Sequence, residues 1–582
     1  MAQIKQAFVC EQIEEAPALE IPIRATGIGK RPAMGLSTSA QGAGRPHFHW
    51  GVNHRAMRRA AWLALCLFLT VALQIGAQQE PNESAATSTT QQAKPAESTL
   101  PPPAQAEKAK EEAEEKPVVT HHEIHFQGKL LKYTATAGTL PIKSAQGETR
   151  AHMFFVAYTL DQPSSQRRRP LTFAFNGGPG SASVWLHLGA IGPRRVRLEP
   201  NGSMPRPPFE LEDNNYTWLD QTDLVFVDPV DTGYSRPTKS EYAQSFLSVR
   251  GDIESVGEFI RLYLTRYERW TSPLFLAGES YGTTRAAGLS NYLLEHGMAL
   301  NGIVLISTVL NFETLEFTPG NDLPYALYLP SYTATAWFHK KLPSDLEGRE
   351  LEQILPEVEQ WARSDYLAAL EKGDRLAPAE RQSVVEHLER YTGLLRAYIE
   401  HSNLRINAFN FEAELLRGQN RMLGRLDSRF EGTDASGVSA MPDYDPLITE
   451  ERPPFTSVFN DYVRSELSYK SDLPYYILGA EGVFDKWNWG PGGQGFPNVE
   501  PDLRSAFVKN PYMKLYVASG YYDLGTPFIA TEYTLDHMGL DAKLRANITT
   551  AQFRTGHMIY IDAAALAKLR QDIARFIANA LP

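Results

Sequence analysis

The sequence predicts an α/β fold with a mainly parallel central sheet, helices on both faces and an inserted helical cap. Three observations predict it. Short, continuously apolar runs alternate with amphipathic helical patterns between residues 171 and 306. That alternation stops between 313 and 470, where acidic-basic helical periodicity replaces the strand pattern. It resumes at 514 and ends in a helix near 563–580. Strands that are apolar on every residue need cover on both faces, which helical crossovers supply in parallel sheets.

Taken in order, folding is expected to begin near Val118. The runs His121–Phe126, Leu131–Thr136 and Met153–Tyr158 alternate or are short and β-rich, and read as an antiparallel lead-in. Leu171–Phe175 is an apolar strand that ends in a Gly-rich turn, and Asp223–Asp228 is a second buried strand. An amphipathic helix follows at about Asp252–Tyr267, then the strand Leu274–Ala277, a helix near Ala286–Glu295 and the strand Ile303–Ile306. Residues 118–312 therefore form a first part of the core, 313–470 the cap, and 471–582 the second part. That second part holds the strands Lys514–Ser519 and Ala546–Phe553 and the closing helix.

The chain upstream reads differently. Met57-Arg58-Arg59 precedes an apolar run, Ala60–Leu73, that ends near the small residues Gly76 and Ala77. A basic start, an apolar stretch too short for a comfortable membrane span, and small residues beyond it match an export signal over 57–77. An uncleaved anchor is the second reading and a buried helix the third. Residues 1–56 read as a non-native upstream extension, with translation starting at Met57. Residues 78–117, rich in Gln, Ser, Thr, Ala, Pro, Glu and Lys, read as a disordered tether. The expected location is exported, periplasmic or extracellular, with the membrane touched only through an uncleaved signal.

Composition excludes other classes. The 582 residues carry a formal charge of -11, the wrong sign for a dedicated nucleic-acid binder. The two cysteines, Cys10 and Cys66, build neither a disulfide scaffold nor a thiolate zinc site. His121, His122 and His125 lie on one short strand without a carboxylate cluster, and read as structural or exposed. No metal and no organic cofactor is implied.

The sharpest local signal is Leu274-Phe-Leu-Ala-Gly-Glu-Ser280-Tyr-Gly282, a strand followed by Gly-x-Ser-x-Gly and then a helix. A strained strand-to-helix turn of this kind exposes the serine hydroxyl at the carboxyl end of a sheet, with the next amide, that of Tyr281, at a helix start. A serine needs a base, and the base an orienting carboxylate. In a fold with this elbow the expected chain order is serine, acid, histidine. Asp523 follows one late strand in Ala518-Ser-Gly-Tyr-Tyr-Asp523, and His557 follows another in Phe553-Arg-Thr-Gly-His557. Phe173-Ala-Phe-Asn176-Gly177-Gly178-Pro179-Gly180-Ser181 lacks the lysine of a phosphate loop and the spacing of a dinucleotide fingerprint. It reads as an oxyanion loop, with Gly178 as the amide donor.

Asn176–Ser181, Gly278-Glu-Ser-Tyr-Gly282, Ser519-Gly-Tyr-Tyr-Asp523 and Gly556-His-Met558 together resemble the four signatures of the serine carboxypeptidase family, peptidase family S10, in that family's order. Asp213–Trp218 and Leu224–Ser235 also resemble its segment between loop and elbow. The resemblance covers roughly 118–582 and is weakest over the cap. It implies the α/β-hydrolase fold, Ser280 as nucleophile, His557 as base then acid, Asp523 as orienting carboxylate, and Gly178 and Tyr281 as oxyanion donors. It further implies that Asn176, Gly177 and Glu279 hold the free C-terminal carboxylate of a peptide substrate. Glu279 must be protonated to donate there, so binding weakens as pH rises.

The sequence departs from the family at three positions. Ala190 stands where a second carboxylate-binding acid is usual, Ala174 replaces a tryptophan, and Ser181 replaces a half-cystine. Hydrolysis is thus better supported than strict C-terminal specificity. Arg194 and Arg195 are either a contact for an anionic substrate or a solvated basic pair. Trp487-Asn-Trp489-Gly-Pro-Gly-Gly493 reads as a loop over the cleft. Acyl transfer or ester hydrolysis is the alternative chemistry, and an anchored, non-catalytic binding protein the alternative class. Oligomeric state is not legible.

Overall fold

The computed structural model describes residues 116–161, 169–479, 482–490 and 496–581. The expectations for residues 1–56, for the export signal at 57–77 and for the tether up to 115 lie outside the described residues. The first strands are β1 (Val118–Phe126), β2 (Lys129–Lys143) and β3 (Thr149–Leu160). β1 and β2 are joined by Gln127 and Gly128, both at positive φ, the two-residue turn whose twist suits a hairpin. Then come β4 (Leu171–Phe175), β5 (Asp223–Val227), β6 (Leu274–Ser280), β7 (Gly302–Thr308), β8 (Lys514–Gly520) and β9 (Ile548–Phe553).

The sheet order is β1-β2-β3-β5-β4-β6-β7-β8-β9, and a short strand at Arg236–Pro237 pairs with β3. The pairs up to β3-β5 are antiparallel and those from β5-β4 onward are parallel. The chain runs from β4 to β5 on one side and then crosses to β6 on the other. The carboxyl ends of β4 and β6 therefore flank the point where the winding reverses, the place where open α/β sheets bind ligands.

Period-two alternation divides each strand between two cores. Phe173, Phe175, Leu276 and Leu305 face α1 (Val249–Arg266), α2 (Tyr281–Glu295) and α5 (Glu500–Lys509), while α3 (Leu323–Phe338) and α4 (Pro446–Ser465) fall between α2 and α5 in the chain. Ala174, Phe226, Ala277 and Val304 face the opposite core, built with α4 and α7 (Ala563–Ala580), while α6 (Phe528–Asp536) follows β8. This is the doubly covered parallel sheet that the sequence predicts.

Between β7 and β8, α3 packs with helices Leu351–Trp361 and Pro378–Thr392 around their own core, which includes Tyr332, Val358, Leu388 and Phe411. Two features differ from a purely helical cap. Arg421–Leu423 and Glu431–Thr433 form an antiparallel hairpin. α4 sends Leu447, Phe455, Phe459 and Tyr462 into the core beneath the sheet, beside Trp185 and Tyr158. Helical periodicity reports an apolar stripe but not which partner covers it.

At the amino end of β5, Asp223 is fully buried. It pairs with Arg169 (2.7 Å) and Arg269 (2.8 Å) and accepts the amide of Leu160 (3.1 Å). One carboxylate thus ties the end of β3, the entry to β4 and the entry to β6. Asp223→Ala leaves the buried Arg269 and the half-buried Arg169 guanidinium groups without it, and is expected to cost about 3–5 kcal/mol, measured as a lower urea midpoint at unchanged slope.

Candidate active site

β6 ends at Ser280, whose φ of 59° and ψ of -132° form a strained turn, and α2 starts at the next residue. The turn is possible because backbone meets backbone around it. A Cβ on Gly278 would collide with the Gly282 carbonyl oxygen, and one on Gly282 would lie 2.8 Å from the Phe175 oxygen. Across the gap, a Cβ on Gly177 would collide with the Tyr281 amide and lie 2.8 Å from the Glu279 oxygen. Gly178 takes φ +99°, a left-handed backbone that other residues rarely adopt. Arg285, fully buried, donates to the Asn176 carbonyl (2.7 Å) and to Asp252 (2.8 Å), and so fixes the turn after β4 to α2.

Asp523 and His557 come from the loops after β8 and β9. Asp523 Oδ2 accepts from His557 Nδ1 at 2.7 Å and from Thr526 Oγ1 at 2.7 Å, while Oδ1 accepts the amides of Gly525 (2.8 Å) and Thr526 (2.9 Å). With Nδ1 donating to the carboxylate, Nε2 of a neutral imidazole carries the lone pair. Burial opposes a charge on His557, but the Asp523 carboxylate, with Glu279, outweighs it and holds the histidine pKa above its usual value.

Both loops are held from the inserted segment. Leu524 N donates to Arg425 O (2.9 Å), His557 N to Leu426 O (2.6 Å), Gly556 N to Asp427 Oδ2 (3.0 Å) and Ser428 N to Tyr522 O (3.0 Å). The turn of the 421–433 hairpin thus binds the acid loop and the histidine loop at once.

Glu279, also buried, accepts from Asn176 Nδ2 (2.9 Å) and Tyr560 Oη (2.6 Å) on the same oxygen, Oε2. The Asn176 amide is oriented by Leu186 N, which donates to its Oδ1 at 3.0 Å. Desolvation raises the Glu279 pKa to about 7 against the opposing pull of His557 and the two hydrogen bonds.

Asn176, Gly177, Gly178, Glu279, Ser280, Tyr281 and His557 all line one cavity, and Asp523 lies behind His557. Every site residue predicted from the sequence is thus brought together. Trp489 lines the same cavity and Trp487 packs edge-on against Tyr281, at 5.4 Å between centroids. Arg194 is half-buried and Arg195 buried, and neither lines this cavity. The short hairpin of 194–196 with 211–213 sets them opposite Asp213 and Glu212, with which they pair. His121, His122 and His125 remain on β1, where His122 stacks on Tyr133 and His125 lies 3.8 Å from Asp213.

Residues 127–560 match the family described as serine carboxypeptidase. The chain belongs to the serine carboxypeptidase family. Among its relatives are serine carboxypeptidase-like 13 of Arabidopsis thaliana, 25% identical over 229 residues (36% of this chain and 48% of that protein). Pheromone-processing carboxypeptidase KEX1 of Coprinopsis cinerea is 30% identical over 178 residues, 29% of this chain and 27% of that protein. The chain thus spans less than half the length of these relatives. A crystal structure of KEX1(delta)p, a prohormone-processing carboxypeptidase from Saccharomyces cerevisiae, is 18% identical, with 76% of this chain and 91% of that chain covered and a TM-score of 0.47.

Within this family member, four contacts around the cavity have no counterpart among the residues singled out from the sequence. Thr526 braces Asp523, and Asp427 holds the histidine loop. Tyr560 reaches Glu279, and Trp185, whose indole donates to Ser181 Oγ (2.9 Å), lines the cavity. Tyr560, three residues after His557, was within reach of motif reading, whereas Asp427 has no local signature. Ala174 and Ala190 lie in the core below the sheet. Because Gly278 has no room for a methyl group, Gly278→Ala is expected to cost about 1–3 kcal/mol, read as a lowered denaturation midpoint.

Proposed function

We propose that this protein is a serine peptidase that cleaves peptides at a free C-terminus through an acyl-enzyme on Ser280. The observation that carries the reading is the buried Asp523–His557 pair, 2.7 Å apart, with the histidine and the strained Ser280 elbow lining one cavity. Ser280 Oγ attacks the scissile carbonyl carbon while His557 Nε2 takes its proton. Asp523 keeps the imidazole in the tautomer that allows this and stabilises the imidazolium. The amides of Gly178 and Tyr281, the latter at the start of α2, receive the oxyanion. His557 then protonates the leaving amine. Water, activated by the same histidine, hydrolyses the ester and restores Ser280.

Asn176 Nδ2, Gly177 and protonated Glu279 form the end of the cavity suited to the terminal carboxylate. Phe312, Leu315, Phe317, Tyr328, Leu478 and Trp489 supply apolar walls, which suit an apolar side chain of the substrate. The signal pattern at 57–77 supports action on peptides outside the cytoplasm.

Two measurements test the reading. A fluorophosphonate probe is expected to label the protein, and Ser280→Ala to abolish labelling and lower kcat by roughly 10⁴-fold or more; equal labelling of the variant would overturn the assignment. For a peptide with a free C-terminus, kcat/KM is expected to fall above about pH 7, where Glu279 loses its proton and repels the substrate carboxylate. A C-terminally amidated peptide should be a much poorer substrate without that alkaline limb. Comparable kcat/KM for both peptides would remove the carboxylate clamp, and product analysis with alcohol acceptors separates hydrolysis from acyl transfer.

A further inference from the structure

Two donors converge on one oxygen of Glu279. Asn176 must present its nitrogen there, because its oxygen is engaged by Leu186 N. Tyr560 is fully buried and its phenol pKa is raised far above the usual value by burial and by Glu279, so it stays a neutral donor. With Oε2 accepting at 2.9 Å and 2.6 Å, the proton of a neutral Glu279 belongs on Oε1. The phenol is itself placed by packing. It lies in the turn Ile559–Ile561 just after His557, and its ring lies against Gly189, where a Cβ would come within 2.7 Å of a ring carbon. The residue after Gly189, Ala190, is buried in the core and carries no acid.

We propose that Tyr560 is a positioning residue of the terminal-carboxylate pocket, whose hydroxyl holds Glu279 Oε2 so that Oε1 is the oxygen that donates to the substrate. The inference rests on the reading of Glu279 as the group that meets that carboxylate. The charged and titratable groups around the pair are His557 and Asp523 beside Glu279, Glu451 beside Tyr560, and Glu316 and Arg425 in the cavity wall. Among them the Tyr560 bond favours the ionised form of Glu279. Its removal therefore raises the pH at which Glu279 deprotonates.

The test compares the full-length protein with Tyr560→Phe, which keeps the ring, and with Glu279→Gln. The infrared band of the protonated Glu279 carboxyl, identified by its loss in Glu279→Gln, should titrate about one pH unit higher in Tyr560→Phe, the equivalent of one such hydrogen bond. KM for a peptide with a free C-terminus should rise roughly tenfold with kcat changed by less than about threefold. KM for its C-terminal amide should not change. Tyr560→3-fluorotyrosine, a stronger donor of nearly the same shape, should move the band to lower pH, which gives a second readout if the phenylalanine variant folds poorly. An unshifted band overturns the proposal whatever the substrate preference, as does a parallel rise in KM for free and amidated peptides. A shifted band in a protein that treats both peptides alike supports the Tyr560–Glu279 bond and overturns the carboxylate clamp instead.

Discussion

Everything at the cavity depends on one backbone contact, where the turn after β4 lies directly on the elbow after β6. Gly177 faces the amides of Tyr281 and Gly282, and Gly282 faces the carbonyls of Phe175 and Asn176, with no space for a side chain on either. Two segments about a hundred residues apart in sequence thus share one wall. The adjacent register of β4 and β6, Phe175 opposite Gly278, aims both turns at the same point. Arg285 and Asp252 lock the contact from behind with a fully buried ion pair, which also spends one guanidinium hydrogen bond on the Asn176 carbonyl. A buried pair of this kind contributes little net stability but is costly to break, so its effect is to fix geometry.

The electrostatics follow from the same closeness. Glu279 and His557 are both buried and each perturbs the other: the carboxylate supports a charged imidazole, and the imidazole draws the Glu279 pKa down against a larger desolvation. Asp523 supports the charge on His557 but opposes one on Glu279. Glu279, in the cavity wall, and Asp523, behind His557, also differ in their hydrogen bonds. Asp523 accepts four, two of them from backbone amides, whereas Glu279 receives two on one oxygen and keeps an environment that favours its neutral form.

The sheet was legible because both its faces are covered. Leu171–Phe175, Leu274–Ala277 and Ile303–Ile306 must be apolar at every residue, and that constraint is written in consecutive positions. The elbow was legible for a similar reason, since Gly278, Ser280 and Gly282 satisfy steric demands within five residues. The start of α2 at Tyr281, earlier than helical periodicity suggests, follows from the sharpness of that turn. What stayed hidden depends on distant partners. Asp427 looks like any turn aspartate until the fold sets it against Gly556, and α4 looks like another cap helix until Phe455 meets Trp185. Arg194 and Arg195 read as a basic pair because the acids opposite them, Asp213 and Glu212, are known only from the hairpin register.

The turn between residues 424 and 430 bears on how such a protein can change over evolution or by engineering. It belongs to the inserted segment, yet its amide-carbonyl bonds grip both the Asp523 and the His557 loops. The insertion is therefore no interchangeable lid. Its outer helices share a core around Val358 and Leu388, and Leu351 and Leu355 also pack against Tyr522 and Phe528. The few residues at the hairpin tip are bound more directly, because their bonds hold the loops that carry Asp523 and His557. Grafts intended to retarget the cavity have their natural cut points outside 421–433, leaving that hairpin with the sheet rather than with the helices it follows.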